Sequence, residues 1–226
     1  MPLATPASPP PLQDGDRLTS EEFLRRWEAM PDLKHAELID GIVYMPSPLS
    51  QKHSNLHFPL STCLGIYTAN TPGCWGGLEA TWVMGHRDVP QPDLALLVLP
   101  EYGGQSTVEG EYYAGVPELI VEVALSSRAR DLGIKLRLYE RMGVHEYLVV
   151  VASQKRIIWH QRTAGIFQPI DPDADGTLRS RCFPGLWLDP IALWSRDQVR
   201  MHAVLNQGLA SPEHAAFVAR LAAQKR

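Results

Sequence analysis

The strongest pattern of apolar and polar positions lies between Pro117 and Val151, in PELIVEVALSSRARDLGIKLRLYERMGVHEYLVVV. Leu119, Ile120, Val121 and Val123 form a compact, largely β-branched apolar run, which predicts a strand with one carboxylate, Glu122, set inside it. Ser126 and Ser127 follow as turn or helix-capping residues. From Arg128 to Met142 the apolar positions recur with helical period, and Gly143 stands where a helix stop is expected. His145 to Val151 is a second apolar run. Strand, helix and strand in this order, over this length of chain, predict a parallel crossover unit.

On a helical wheel at about 100° per residue, Leu132, Leu136, Tyr139 and Met142 share the side that should meet a sheet. Arg130, Arg137 and Arg141 take the opposite side, which should face solvent. Lys135 falls between Tyr139 and Met142, within the apolar face. An unpaired ammonium there is costly, so Lys135 must reach a buried carboxylate or extend to water. Glu122 on the preceding strand is one candidate partner. Asp131, one turn back, is the other, and a local helix pair of that kind contributes only about a few tenths of a kcal/mol.

The rest of the chain alternates strand-like and helix-like patterns, as a mixed α/β protein does. Met1 to Arg17 is proline-rich and poor in large apolar groups, and reads as a disordered tail. Thr19 and Glu22 have capping-box spacing ahead of a helix that holds Phe23, Leu24 and Trp27. His35 to Met45 reads as a hairpin around Asp40-Gly41, with Glu37 on its first strand. Ser50 to Asn70 reads as a helix that Pro59 should kink or interrupt. His53 and His57 are one turn apart near its start; no third zinc ligand is spaced for them, so surface or capping roles are expected. Trp75 to Met84 reads as one strand. Asp93 opens the apolar strand Leu94 to Leu99, behind Pro90 and Pro92, which a strand tolerates only at its start. Pro100 to Ala114 reads as a polar loop able to sit over a site. Further strands are expected at Arg156 to His160 and Ile166-Phe167, an apolar strip at Phe183 to Leu188, and helices at Ile191 to Leu205 and Pro212 to Ala223. The acidic loop Asp171 to Gly176 lacks the flanking helices and downstream glutamate of a calcium loop. This divides the chain into a tail (1–17), one domain (18–195) and a helical extension (196–226).

Composition narrows the function. The 226 residues suit one domain with additions, and no apolar run is long enough to span a membrane. No secretory signal is visible at the N-terminus. Cys63, Cys74 and Cys182 have no metal spacing and read as reduced thiols of a cytoplasmic protein. The net charge of -4 argues against a broadly basic nucleic-acid surface, although a local patch with a bound divalent cation would suffice. Trp75, Trp82, Trp159, Trp187 and Trp194 sit in apolar strips, where core or interface packing is expected rather than base stacking.

Against that background four residues stand out: Glu37, Asp93, Glu122 and Lys135, each on or beside an apolar element expected to be buried. Buried acids are costly unless they bind a cation or one another. A magnesium-type cation takes oxygen ligands, one or two of them carboxylates, and a nearby lysine could activate a water or steady charge on a phosphate. That is the chemistry of metal-assisted phosphodiester hydrolysis.

The order ELIDG, QPD before an apolar strand, PELIVEVAL, then RDLGIK-LRLYERMGVHEYLVV resembles the Uma family of proposed restriction endonucleases, within the PD-(D/E)xK nuclease superfamily. The similarity runs from about Thr19 to about Trp194 and is most specific from Asp131 to Val149. The resemblance implies a restriction-endonuclease-like fold, with a central mixed β-sheet flanked by helices. It implies that Asp93 and Glu122 bind Mg2+ or Mn2+ with the backbone carbonyl of Val123, and that Glu37 completes the acidic cluster directly or through water. The superfamily's lysine usually lies two residues after the glutamate, where this chain has Ala124; Lys135 on the following helix is its match. Ser126-Ser127 also departs from the serine-proline-serine turn of relatives. The implied partners are nucleic acid, DNA first, and a second copy of the chain, since two sites must face opposite strands. Two other readings remain: a catalytically silent nucleic-acid-binding or assembly module, and a metal-dependent hydrolase of another phosphoester. A glycosidase built on two of the acids is disfavoured, because a lysine beside them suits an anionic substrate.

Overall fold

A computed structural model of the chain describes residues 8–45, 48, 50–125 and 127–226. In chain order, helix α1 (Ser20–Glu28) precedes the hairpin β1 (Glu37–Ile39) and β2 (Ile42–Tyr44), and helix α2 (Gln51–Ala69) follows. Then come β3 (Cys74–Leu78), β4 (Trp82–Val83), β5 (Leu94–Val98), the hairpin β6 (Ser106–Glu109) and β7 (Tyr112–Gly115), and β8 (Leu119–Ala124). Helix α3 spans 128–142 and leads to β9 (Glu146–Val151), β10 (Arg156–Thr163), β11 (Ile166–Pro169), β12 (Leu178–Arg179) and β13 (Trp187–Leu188). Helices α4 (Pro190–Ser195), α5 (Gln198–Leu209) and α6 (Pro212–Gln224) finish the chain.

The predicted crossover unit is the centre of the molecule. β8 and β9 pair in parallel, with Glu122 opposite Val149, and α3 connects them. Around this pair the main sheet has the order β11-β10-β9-β8-β5-β3, its other pairings being antiparallel. The sheet is therefore mixed, as expected.

Both faces of the sheet are covered. Along β8, Leu119, Val121 and Val123 join a core with Leu60, Leu64 and Tyr67 of α2 and with Leu193, Met201, Leu205, Phe217 and Leu221 of α4 to α6. Ile120 and Ala124 join the opposite core with Leu138 and Tyr139 of α3. Alternation along the strand puts Glu122 on this second face, beneath α3. A third cluster packs Phe23 of α1 against Leu38 and Val43 of the first hairpin.

Several expectations need correction. Among residues 8–17, expected in a disordered tail, Leu12 is buried, Gly15 N–H donates to Val43 O, and Arg17 bridges to Ile42. One well-placed leucine and a free edge of the hairpin order this segment despite its prolines; residues 1–7 lie outside the described residues. Pro59 does not end α2 and is buried within it. The strand expected over Trp75 to Met84 is broken into β3 and β4, with Glu79 at positive φ between them. The loop expected over Pro100 to Ala114 is largely the β6–β7 hairpin, which does not line the cleft described below. The helix expected over Ile191 to Leu205 divides at Arg196, which adopts a left-handed conformation, and Asp197, which caps α5. The helices after residue 196 contribute Met201, Leu205, Phe217 and Leu221 to the main core, so packing is continuous across the expected boundary. Trp82 and Trp159 are buried as expected, whereas Trp75 is exposed. Among the described residues no helix is long and apolar enough to cross a membrane.

Leu138 is fully buried where α3 meets the sheet. Leu138→Ala is expected to cost about 2–5 kcal/mol of stability, read by urea denaturation.

Candidate active site

The strand pairing at the end of β5 creates the site. β5 pairs with β8 as far as Leu94 opposite Val121. Before Leu94 the chain reads Pro90-Gln91-Pro92-Asp93, and proline cannot donate to a ladder. The two strands therefore part, and the next N–H of β8 on that side, from Val123, needs another acceptor. Asp93 supplies it: its Oδ2 accepts Val123 N–H at 2.6 Å. The same oxygen lies 3.0 Å from Nε2 of His53, near the start of α2. Ser50 caps that helix and accepts the His53 N–H.

The hairpin delivers the second acid. β1 is tied to the chain ahead of β5 by reciprocal hydrogen bonds between Leu38 and Val89. Glu37 then points at the parting strands, and its Oε1 accepts Gln91 N–H at 2.9 Å. The third acid, Glu122, rises from β8 towards α3.

Helix α3 closes the site. Its middle, Asp131–Lys135, is π-helical, a wider turn that recurs at functional sites. Asp131 and Lys135 are both buried in it. Lys135 Nζ lies 2.8 Å from Glu122 Oε1 and 2.7 Å from Glu37 Oε1. Lys135 thus pairs across to two strands rather than back along the helix. Asp131 instead accepts a hydrogen bond from Ser127 Oγ. Tyr139 OH adds a hydrogen bond to Glu122 Oε1 at 3.0 Å. Ser126 lies outside the described residues.

All four predicted side chains, with Val123, Asp131 and His53, line one cleft of about 670 Å³. Arg130 also lines it; its guanidinium lies over the Tyr44 ring and 3.9 Å from Glu37 Oε2.

The acids of this cleft differ from the other buried acids in how they use their oxygens. Glu146 spends one oxygen on Trp159 and Ser180 and the other on the N–H groups of Arg181 and Cys182. Glu118 accepts from Val98 on one oxygen and from Gln105 on the other. Asp88 and Asp189 also use both. In the cleft, two donors converge on one oxygen of each acid: Oδ2 of Asp93, Oε1 of Glu122 and Oε1 of Glu37. Among the described residues the second oxygen of each, and one oxygen of Asp131, accepts no hydrogen bond. Glu37 Oε2 keeps only the distant Arg130 guanidinium, at 3.9 Å. A held carboxyl group with an oxygen that accepts no hydrogen bond is the kind of donor that Mg2+ or Mn2+ takes, water and phosphate oxygens completing the shell. Among the described residues no group of three or more His, Cys, Asp or Glu side chains is placed to hold a metal ion as it stands. The acidic donors that line the cleft are oxygens, the type a partly hydrated magnesium-type ion takes rather than a structural zinc.

The electrostatics agree. Burial raises the Glu122 carboxyl well above the ordinary glutamate range; Lys135 opposes the rise, while the charges of Asp93, Asp131 and Glu37 add to it. Burial also lifts Asp131. Burial disfavours the Lys135 ammonium, but Glu122, Glu37 and Asp131 outweigh it and hold the pKa well above the usual lysine value. Burial opposes charge on His53 as well, yet its bond to Asp93 raises its pKa. For Asp93 burial raises the pKa, and His53, the Val123 N–H and Lys135 together bring it below the ordinary value. Lys135, His53 and Arg130 thus face the crowded carboxyl groups of Glu37, Asp93, Glu122 and Asp131, whose mutual repulsion is among the causes that raise Glu122 and Asp131.

Three residues of the site are not singled out by the sequence. Asp131 reads there only as a local partner of Lys135, and Arg130, expected on the solvent side of its helix, lines the cleft beside Glu37 and Tyr44. His53 was expected at the surface or in a cap but is buried against Asp93. Its spacing from Ser50 signals only the cap; the contact with Asp93 spans forty residues of chain and has no local pattern.

The chain is similar to known proteins over most of its length. A family model described as "Uma2: Putative restriction endonuclease" matches residues 20–191. A solved structure, "a putative nuclease belonging to DUF820 from Anabaena variabilis ATCC 29413", superposes with a TM-score of 0.58 at 14% identity, covering 79% of this chain and 98% of that one. That likeness shows the restriction-endonuclease-like fold. No curated protein matches the chain.

The raised pKa of Glu122 has a sign that can be tested. Its folded form holds a proton that the unfolded chain has already lost, so its contribution to stability is present below the ordinary carboxylate range and is lost as pH rises through the folded value. Without divalent cation, the melting temperature of wild type relative to Glu122→Gln is expected to fall as pH rises from the carboxylate range towards neutrality. Thermal melts of both proteins across that range check this; an unchanged slope in the variant contradicts it.

Proposed function

The chain belongs to the Uma2 family, and from that premise we propose that it is a divalent-metal-dependent endonuclease hydrolysing phosphodiester bonds in nucleic acid, DNA in the first instance. The observation that carries the reading is the convergence of Glu37, Asp93 and Glu122 in one cleft around a buried lysine, each with one oxygen that takes two donors and a second that, among the described residues, accepts no hydrogen bond.

Asp93 and Glu122, with the backbone carbonyl of Val123, hold Mg2+ or Mn2+, and Glu37 completes the cluster directly or through water. When bound, the cation supplies Lewis-acid polarisation of the phosphoryl group and lowers the pKa of a water. Asp93 is kept ionised and oriented by His53 and the Val123 N–H. Lys135 stays an ammonium, because three carboxylates surround it. Its role is to orient Glu37 and Glu122 and to steady developing negative charge rather than to remove a proton. Arg130, at the same cleft, is suited to a backbone phosphate. Cutting both strands of a duplex calls for two such clefts, hence a homodimer. Three free thiols fit a reducing, cytoplasmic setting.

One observation favours the silent-module reading: among the described residues no group of three or more His, Cys, Asp or Glu side chains is placed to hold a metal ion. That reading expects nucleic-acid or protein binding without metal-dependent turnover.

Supercoiled plasmid and single-stranded DNA, titrated with Mg2+ or Mn2+, separate the two. The proposal expects metal-dependent nicking, abolished by EDTA and reduced at least about a hundredfold in Asp93→Ala and in Lys135→Ala. Nicking that survives in correctly folded Asp93→Ala overturns the assignment.

A further inference from the structure

The first turns of α2 present two histidines to a single aspartate. His53 is buried, and its Nε2 lies 3.0 Å from Asp93 Oδ2. His57, one turn later, is half-buried, and its Nε2 lies 3.0 Å from the main-chain oxygen of the same Asp93. Carboxylate and carbonyl oxygens only accept, so each Nε2 must carry its hydrogen. The rings lie side by side, 5.3 Å apart between centroids. One helix face therefore grips both the side chain and the backbone of the residue at which β5 leaves β8.

The direction of the grip matters. His53 and the Val123 N–H both take Oδ2. Rotation of the carboxylate about its terminal bond would break both contacts, so Oδ1 stays turned away from them. The main-chain oxygen of Asp93 also accepts Glu79 N–H at 3.1 Å, and His57 completes its coordination. Backbone and side chain are thus held by different donors on different elements.

We propose that His53 and His57 are positioning residues that present Asp93 Oδ1 to a divalent cation, His53 by fixing the carboxylate and His57 by fixing the backbone beneath it. The proposal rests on the reading of Asp93 as a metal ligand. A group hydrogen-bonded to a metal ligand typically changes metal affinity by about 10–100-fold when removed, because the ligand must then be ordered on binding. Truncating His53 should therefore weaken cation binding without contributing or removing a ligand. Glutamine at position 53 places an N–H donor near the site of Nε2 and should restore it. A histidine that merely fills space would behave differently: the glutamine would lose packing without regaining affinity.

The test is calorimetric titration of Mn2+ into the full chain, with thermal melts in parallel, for wild type, Asp93→Ala, His53→Ala, His53→Gln and His57→Gln. The expected result is binding by wild type, none by Asp93→Ala, a loss of about tenfold or more in His53→Ala, and affinity near wild type in both glutamine variants. If His53→Ala does not fold, a wild-type Mn2+ affinity in His53→Gln together with a lower melting temperature still supports the donor role. Wild-type affinity in folded His53→Ala overturns the proposal and leaves the metal reading standing. Equal losses in His53→Ala and His53→Gln overturn it too, since a donor would then not matter. Absence of Mn2+ binding by wild type overturns the metal reading, and the positioning role falls with it.

Discussion

The structure depends most on the placement of one buried ammonium. Lys135 reaches Glu37 on the first hairpin and Glu122 on the central strand at hydrogen-bonding distance. Three elements far apart in sequence meet at that nitrogen. Removing one member of such a network leaves an unpaired charge in the interior, at a cost of about 3–5 kcal/mol, whereas an apolar replacement of the whole set is often neutral. A network of this kind is therefore a poor way to gain stability. It is a good way to hold several carboxyl groups close together without mutual expulsion, and among the described residues the second oxygen of each of these acids accepts no hydrogen bond.

The scaffold that achieves this is simple. A parallel pair needs a crossover helix, and α3 lies over the face to which Glu122 is turned by strand alternation. Prolines ahead of β5 end its pairing, and the orphaned Val123 N–H is taken by Asp93. The π-helical turn in α3 buries Asp131 and Lys135 together. The acids without such a role, Glu118 and Glu146, have both oxygens occupied and hold loops in place.

How much of this was legible in the sequence follows from which interactions are local. The crossover unit was legible because apolar period is a short-range signal, and Lys135 was legible because a charge inside an apolar stripe must find a partner. The direct meeting of Lys135 with Glu37 was not, since it depends on the Leu38–Val89 bridge between distant segments. His53 was not, since a histidine beside a serine cap looks alike whether it faces solvent or an aspartate. The β6–β7 hairpin read as a loop because Ser106–Glu109 alternates too weakly, with Thr107, Val108 and Glu109 all exposed. Residues 8–17 read as a tail because composition averages over the single leucine that anchors them.

The central claim is that the cleft acids hold one divalent cation. Crystals grown with Mn2+ and measured at a wavelength where manganese scatters anomalously test it most directly. The account predicts an anomalous peak against Asp93 and Glu122, on the side of the oxygens that take no hydrogen bond. A map with no peak in the cleft, and Lys135 still joining Glu37 to Glu122, would contradict it and reduce the cluster to a structural ion network.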